Sequence, residues 1–300
     1  MNLAYLVDLS SRYHADKQEK NQELPGLSVF RRDAPSDIEA AIYEPVICLI
    51  LQGGKVTSIG DQAADLRPGD ALLVSHDLPV VSRITKATPQ EPYLALILSL
   101  DLRLARSLND QLAEAWMPDI RVRPLSKGRA EQAWLAPLVR YLEFMDSPLD
   151  ARVLGPATLR EIHYRLLLSS IGQMLRHLLI ADSHASRIAQ AIKLLRTEFR
   201  SPLTVPNLAK VAGMSASSFH EHFRAITGTT PLQYQKDLRL IEARALLTGQ
   251  HHTVSQAAYT VGYESPTHFS RDYSRKFGVA PSRDAGTAAL ASEDTALIRA

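Results

Sequence analysis

The sequence predicts a two-domain protein of the α+β class, with an N-terminal all-β barrel flanked by helices and a C-terminal all-α domain. Three observations lead to this fold class. Short runs of Val, Ile and Leu separated by turn residues fill positions 27–102, apolar residues at helical spacing follow in 103–182, and one helical pattern occurs twice between Pro202 and Asp284. A chain of 300 residues is long enough for two domains with separate cores.

The N-terminal segment and the strand region come first along the chain. Residues 1–20 predict a short amphipathic helix, because their apolar side chains recur at helical spacing. Strands are expected at VICLILQ, KVTSIG, ALLVSH, VVSRIT and YLALILSL. The turns between them are expected at Gly53-Gly54, Gly60-Asp61 and Pro68-Gly69-Asp70. Strands at such regular spacing indicate a sandwich or barrel.

The barrel lacks the residues of a metal or catalytic site. Metal-binding barrels need clustered His and carboxylate ligands, and His76 is the only His between positions 27 and 102. Cys48 is the only cysteine, which excludes an intramolecular disulfide. Cys48 is either a buried inert thiol or a contact for a bound molecule, and His76 is either a hydrogen-bonded residue at a strand end or such a contact. We predict no catalytic residue, no metal ligand and no cofactor, and we interpret the barrel as a container for a small molecule.

At least two amphipathic helices are predicted after the barrel. An apolar stripe runs from Trp134 to Met145, and Pro156 is expected to start the second helix. The apolar stripes alone suit helices that cover the barrel. We place the domain boundary after Asp182, because Asp182 or Ser183 can cap the helix that follows.

The C-terminal domain, residues 183–285, contains the repeated pattern. Each copy contains the same features in the same order: a Thr-Val pair, an Ala, a Gly, two aromatic residues, a second Gly and a Pro. The second copy is offset from the first by 49 residues before the turn and by 50 after it. Each copy predicts a short helix, a tight turn at Gly213 or Gly262, and a second helix with aromatic residues four positions apart, which is a helix-turn-helix. The chain between Pro231 and Gly249 has neither Gly nor Pro, and it predicts one helix that joins the two units.

The second helix of each unit should present polar and basic side chains on the face opposite its buried aromatic residues. Such side chains on a helix that follows a tight turn suit the base edges and phosphates of a major groove. The predicted DNA contacts are Ser217, His220, Glu221 and Arg224 in the first unit and Thr267, His268, Arg271 and Arg275 in the second. We expect Arg271 to reach a guanine edge and Arg275 to contact the DNA backbone.

Charge is distributed unevenly along the chain. Residues 184–285 hold 13 Lys and Arg against 7 Asp and Glu, a net charge of +6, whereas residues 1–183 hold 20 against 23, a net charge of −3. This asymmetry suits a polyanion partner for the C-terminal domain only. The chain has no apolar run of about 18 residues and no charged-then-apolar leader, so we expect a cytoplasmic protein without a membrane segment. Residues 286–300 are expected to form a flexible tail.

Several segments resemble one family of regulators. GMSASSFHEHFRAITGTTPLQY, LRLIEARALL and VGYESPTHFSRDYSRKFGVAPSRD resemble the tandem helix-turn-helix domain of AraC-type (AraC/XylS) transcription regulators, and the resemblance spans Ser186 to Asp284. EPVICLILQG, LRPGDALLVSHDLPVVSRIT and EPYLALIL are similar to the effector domain of one AraC-type subfamily, which implies a cupin-like barrel. The resemblance implies binding of double-stranded DNA and of a small-molecule effector, work with RNA polymerase, and a homodimer formed by the helices after the barrel. Glu221 stands where the family often has Arg or Gln, which argues against strong base readout by the first unit.

Two other functions stay open from the sequence. One is a cupin-type enzyme fused to a DNA-binding domain, and the other is a DNA-binding regulator that takes no ligand. The barrel has neither a His-x-His pair nor paired carboxylates, which argues against the enzyme. A stoichiometric transition metal in the purified protein would favour the enzyme, whereas a barrel without a cavity would favour the ligand-free regulator.

Overall fold

The computed structural model of the protein describes residues 3–20, 23–112, 125–249 and 252–287. In these ranges the N-terminal domain forms two antiparallel sheets, one with the strand order β1-β8-β3-β6-β9 and the other with the order β2-β7-β4-β5. The strands are β1 (Leu27–Arg32), β2 (Glu39–Tyr43), β3 (Val46–Gln52), β4 (Gly54–Ile59), β5 (Gln62–Leu66), β6 (Asp70–Val74), β7 (Leu78–Lys86), β8 (Tyr93–Ser99) and β9 (Ser126–Arg129).

The first sheet is covered on both faces, by helices on one side and by the second sheet on the other. Six of the seven residues of β3 are buried, so this strand is a continuous apolar run and does not alternate. Ile47 and Leu49 pack on the helical side, whereas Cys48 and Ile50 pack on the side of the second sheet. The N-terminal core therefore has two layers.

The fold class predicted from the sequence is confirmed. The five strands expected from apolar runs are present as β3, β4, β6, β7 and β8, and β1, β2, β5 and β9 are further strands that those runs do not predict. The predicted turns at Gly53, Gly60 and Gly69 are present, with positive φ angles of 77°, 57° and 83°. The left-handed region that these turns require favours glycine.

Helices pack on the outer face of the first sheet. They are α1 (Leu3–Lys20), α2 (Leu102–Leu112), α3 (Gln132–Glu143), α4 (Pro148–Leu168) and α5 (Gln173–Leu179). The predicted apolar stripe from Trp134 to Met145 is buried, as are Leu6 and Leu9 of the predicted N-terminal helix. These side chains share one core cluster with the sheet residues Ile47 and Leu49.

The prediction that Pro156 starts a helix is wrong. Helix α4 begins eight residues earlier, at Pro148, and Pro156 lies inside it. The start is set by Ser147, whose side chain accepts a hydrogen bond from the Asp150 amide at 3.4 Å, with Pro148 at the first helical position. An internal proline removes one backbone hydrogen bond, and here the remaining turns of the long helix continue through it.

The C-terminal domain is entirely helical in the described residues. Its helices are α6 (His184–Glu198), α7 (Val205–Val211), α8 (Ala216–Thr227), α9 (Pro231–Thr248), α10 (Val254–Thr260), α11 (Pro266–Phe277) and α12 (Pro281–Thr287). A Ser or Thr side chain caps the start of each helix from α6 to α11 and satisfies one free backbone amide there. The cap of α6 is Ser183, next to the predicted domain boundary.

Two further sequence predictions concern the C-terminal tail and the absence of a membrane segment. Of the predicted tail, 286–300, only the last residues of α12 belong to the described part of the protein. Among the described helices, none combines the length and the apolar character needed to cross a bilayer.

Candidate nucleic-acid interface and ligand cavity

The first helix-turn-helix consists of α7 and α8, joined by a turn at Gly213 with a φ of 61°. Phe219 and Phe223 are fully buried on one face of α8, and their ring centroids are 5.4 Å apart. Tyr234 of α9 packs edge-on against Phe223 with centroids 5.6 Å apart. The aromatic spacing read from the sequence therefore fixes which face of α8 is inside, and the opposite face is left to solvent.

The second unit, α10 and α11, repeats this arrangement. Phe269 and Tyr273 are fully buried with centroids 5.4 Å apart. The Tyr273 hydroxyl donates a hydrogen bond to Asp284 Oδ2 at 2.6 Å, and the same carboxylate pairs with Arg244 Nε at 2.9 Å. Burial, and then the bond to Asp284, raises the pKa of Tyr273, so its hydroxyl stays protonated and keeps donating.

The joining helix α9 holds the second unit by charged contacts. It has 18 residues and is therefore about 27 Å long at about 1.5 Å per residue. Lys276 of α11 pairs with Asp237 of α9 at 2.8 Å, and Lys236 of α9 pairs with Asp272 of α11 at 3.0 Å. Because Lys276 and Asp237 are nearly buried, this pair orients α11 on α9.

All eight predicted DNA contacts lie on the exposed faces of α8 and α11. The exposed residues are Ser217, His220, Glu221 and Arg224 in α8 and Thr267, His268, Arg271 and Arg275 in α11. Each helix therefore presents a contiguous polar face next to its buried aromatic face. The contact of these side chains with DNA stays a prediction.

The arginines on the two faces differ in their partners. Arg275 pairs with Asp272 one turn earlier, and Arg224 lies 3.5 Å from Asp61, which belongs to the turn between β4 and β5. Arg271 makes no ion pair with any described residue. Of the three, Arg271 is the one whose guanidinium is available without breaking an existing pair.

A cavity lies between the two sheets of the N-terminal domain. The space not filled by atoms is about 750 Å³ when its mouth is included, but only about 40 Å³ of it admits the centre of a water molecule, so the cavity is narrow. Its wall is formed mostly by apolar side chains. Its lining residues include Glu39, Tyr43, Glu44, Cys48, Ile50, Lys55, Thr57, Ile84, Tyr93 and Ile97.

Lys55 brings a positive charge into the cavity wall. Its Nζ donates a hydrogen bond to the Tyr43 hydroxyl at 2.7 Å and lies 5.4 Å from the centre of the Tyr43 ring. Burial opposes the charge on Lys55, whereas the hydrogen bond to the Tyr43 hydroxyl favours it. Lys55 is half-buried, so its ammonium group keeps contact with water and is charged at neutral pH.

The two predicted effector contacts lie in different places. Cys48 is on the cavity wall, and burial raises the pKa of its thiol to about 11, so the thiol is protonated and a poor nucleophile. His76 lies outside the cavity wall, where its Nε2 donates to the Ala185 carbonyl of α6 at 3.2 Å and its Nδ1 accepts from Ser75 Oγ at 2.9 Å. Burial lowers the pKa of His76 to about 4. His76 thus connects the barrel to the first helix of the other domain.

The barrel and the C-terminal domain are joined by several polar contacts. Arg196 of α6 pairs with Glu44 at 2.9 Å and with Asp77, and the Tyr234 hydroxyl of α9 donates to the Asp77 carbonyl. Arg244 donates to the Ile38 carbonyl at 2.8 Å. The apolar core of the first helix-turn-helix is also continuous with the side of the barrel that faces the second sheet.

The turn between β4 and β5 rests on the end of α8. A Cβ atom placed on Gly60 would lie 2.0 Å from the carbonyl oxygen of Gly228, the residue that caps α8. Asp61 in the same turn faces Arg224. The strand that carries Lys55 into the cavity therefore ends on the helix predicted to enter DNA.

Two family models match the chain over most of its length. The AraC-type transcriptional regulator N-terminus matches residues 23–174, and a helix-turn-helix domain matches residues 208–285. The chain belongs to the AraC-type transcriptional regulators. Its two matched regions cover the cavity and both polar helix faces.

Individual relatives of this AraC-type regulator agree with that membership. The HTH-type transcriptional activator RhaS of Salmonella enteritidis is 31% identical over 101 residues, which is 34% of this chain and 36% of that protein. The same figures hold for RhaS of Salmonella newport. The chain thus spans about a third of the length of the curated relatives it matches.

Solved structures of another protein share the fold of this AraC-type regulator over most of its length. ToxT from Vibrio cholerae matches with a TM-score of 0.55 at 14% identity, over 87% of this chain and 97% of that one. A second ToxT structure, bound to an unsaturated fatty acid, matches with a TM-score of 0.52 at 13% identity, over 86% and 94%. At this identity the likeness shows the arrangement of the two domains and no more.

The sequence did not point to Lys55, Thr57 or Gly60 as site residues. Lys55 and Thr57 share the inner face of β4, but Val56 and Ser58 alternate with them, so the pattern does not reveal which face is inside. Gly60 was recognisable only as a turn residue. Among the described residues, no group of three His, Cys, Asp or Glu side chains is placed to hold a metal ion.

Proposed function

We propose that this AraC-type regulator binds double-stranded DNA through α8 and α11 and that a small molecule in the cavity between the sheets changes this binding. The observation that carries the proposal is the contact of the β4–β5 turn with the end of α8. Strand β4 lines the cavity with Lys55 at one end and rests on Gly228 at the other. A ligand acts on DNA binding only if it favours one of two domain arrangements, and this strand supplies a direct connection.

DNA binding is supported by the two exposed polar faces and by the net positive charge of residues 184–285. A helix of about 27 Å between the units holds both faces on one rigid body. We therefore expect a monomer to protect two major-groove segments on one side of the duplex, about 34 Å or one turn apart.

Footprinting tests this expectation directly. The operator is first obtained by sequencing genomic DNA retained by the full-length protein, and the footprint is then recorded with the wild type and with Arg271→Ala. Protection of two segments, with the loss of contact confined to one of them in the variant, supports the proposal. Protection of a single segment per monomer would show that the two units do not read DNA together.

A homodimer is the assembly we propose, formed through the start of α4. Leu149, Val153 and Leu154 lie on neighbouring turns there and are 60%, 63% and 49% exposed, which is unusual for side chains of this size. Sedimentation of Val153→Glu should show a shift towards the monomer. Leu232→Glu is the matched control, because Leu232 is 68% exposed on α9, away from this patch. An unchanged dimer in Val153→Glu would exclude this surface.

The remaining parts of the proposal follow from the family. We expect the regulator to have no enzymatic activity, to work with RNA polymerase at promoters, and to act in the cytoplasm, where the DNA is. ToxT has been solved bound to an unsaturated fatty acid and to a substituted butenoic acid, which supports the use of the cavity by a small molecule here. Thermal unfolding with and without candidate effectors would test that use.

A further inference from the structure

The cavity contains one positive charge without a negative partner. Lys55 Nζ has the Tyr43 hydroxyl at 2.7 Å, and no carboxylate of the described residues lies within ion-pair distance of it. We infer that the cavity binds a small organic monoanion with an apolar body, and that its carboxylate lies against Lys55 and Tyr43. This inference rests on the proposed sensing role of the cavity and names the class of effector.

The two carboxylates of the cavity wall do not compensate Lys55, because each faces an arginine. Glu39 lies 3.5 Å from Arg32, and Glu44 lies 2.9 Å from Arg196. Each wall carboxylate is therefore paired with an arginine that is not itself a wall residue, and Lys55 is left without a carboxylate partner. Removing an unpaired cation from water is unfavourable, so a single negative charge placed next to Lys55 would be strongly stabilised there.

A second polar group in the cavity also lacks a protein partner. Thr57 is fully buried, it lines the cavity, and its Oγ1 has no hydrogen-bond partner. Thr57 follows Lys55 by two positions on β4, so the two side chains share one face about 7 Å apart. A buried hydroxyl without a hydrogen-bond partner is unfavourable. A ligand oxygen at this point would satisfy it.

The rest of the wall indicates the body of the ligand. Cys48 and Ile50 of the first sheet face Ile84 of the second, and Ile97 extends this apolar surface. A flexible or flat hydrocarbon fits a narrow apolar space between two sheets. The polar groups at Lys55, Tyr43 and Thr57 are too few to solvate a dianionic phosphate, whereas a carboxylate needs only two or three donors.

The test compares ligands of the same shape and different charge on the full-length protein. Octanoate, octanol and octylamine are titrated by calorimetry, and a series from butanoate to dodecanoate together with benzoate varies the size of the ligand body. We expect at least one carboxylate to bind, its alcohol to bind about tenfold or more weakly because the charge-assisted bond is lost, and its amine not to bind. Equal binding of carboxylate and amine, or no binding of any carboxylate, would overturn the inference.

Two variants locate the site. Lys55→Met keeps the length of the side chain without its charge and should weaken carboxylate binding by about tenfold or more while leaving the binding of the alcohol unchanged. Lys86→Met is the matched control, because Lys86 is exposed at the end of the neighbouring strand, and it should bind like the wild type. Full carboxylate binding by a folded Lys55→Met would overturn the assignment.

A third variant covers the case in which Lys55→Met does not fold. Thr57→Val replaces the unpartnered hydroxyl by a methyl group, so it should keep or raise the unfolding temperature while lowering carboxylate affinity. Unchanged affinity would overturn the assignment of the carboxylate to this part of the cavity. Footprinting of the same samples tests the proposed function separately. If the protein binds DNA and responds only to an uncharged effector, the proposed function stands and the inference of an anionic effector is wrong.

Discussion

Replacing Gly60 by alanine should disturb the contact between the barrel and the first helix-turn-helix. The new Cβ would lie 2.0 Å from the Gly228 carbonyl oxygen and 2.6 Å from its carbon, whereas ordinary contacts begin at 3.4 Å. The turn and the end of α8 must therefore separate by more than 1 Å. This movement also lengthens the distance from Asp61 to Arg224, which is already 3.5 Å.

The loss in the free energy of unfolding caused by Gly60→Ala has a local part and an interdomain part. Gly60 has a φ of 57°, and an alanine in the left-handed region is unfavourable by about 1 to 2 kcal/mol wherever it occurs. Forcing extra atoms into a packed contact adds about 1 to 3 kcal/mol. Gly26→Ala isolates the local part, because Gly26 has a φ of 73° and its Cβ would meet nothing closer than 3.7 Å.

The two variants are compared by urea unfolding and by titration of the operator with and without effector. Gly60→Ala should lose about 1 to 3 kcal/mol more than Gly26→Ala in the free energy of unfolding. It should also respond less to effector, whereas Gly26→Ala should respond like the wild type. If both variants are equally stable and respond equally, the β4–β5 turn does not connect the cavity to α8.

Three further predictions concern charges. Asp61→Ala frees Arg224 and should raise DNA affinity by about two- to fivefold at low salt and not at high salt, in a salt titration of the operator. Arg271→Ala should weaken binding by about 1 to 3 kcal/mol and relax one base position, whereas Ser217→Ala should change specificity less, as measured on a set of operator variants. The pKa of His76 is about 4 in the folded protein and about 6.5 in the unfolded one, so the free energy of unfolding decreases as the pH falls from 6.5 to 4. At pH 5 the decrease is about 2 kcal/mol. His76→Gln should abolish this difference between pH 7 and pH 5, as measured by urea unfolding at the two values.

The parts of the fold that the sequence predicts are those whose signal is local. Strands β3 and β8 are apolar runs bounded by turn residues, and the aromatic pairs of α8 and α11 recur at helical spacing. Strand β9 has the sequence SKGR and no apolar residue, and it exists because it pairs with β6 and because Lys127 and Arg129 bond Asp70. Nothing in its own residues indicates a strand. Pro156 gave a false start signal for the same reason, since its place inside α4 depends on the cap at Ser147.

The exposed faces of α8 and α11 could be predicted from local sequence signals, whereas the cavity residues could not. A helix period of 3.6 assigns the inner and outer faces of α8 and α11 without tertiary information, so the eight exposed residues could be named in advance. The cavity residues could not, because inner and outer positions of β4 carry similar side chains and a lysine on a strand is ordinarily a solvent residue. Lys55 becomes informative only when the structure places Tyr43 beside it and gives each of the two cavity carboxylates an arginine.

The change of charge near residue 183 indicates two separate domains, but polar side chains of the two domains also contact each other across that boundary. Arg196 and Tyr234 are buried or half-buried in the C-terminal domain, but their partners Glu44 and Asp77 belong to the barrel. Each of these residues also has an ordinary local explanation in the sequence, as a charged or aromatic residue on an amphipathic helix, so nothing marks them as interdomain contacts. A regulator needs such contacts to be strong enough to hold the two domains in one arrangement and polar enough to be exchanged for another. The shared apolar core meets the first requirement, and the ion pairs and single hydrogen bonds meet the second, because water replaces their partners when the domains separate.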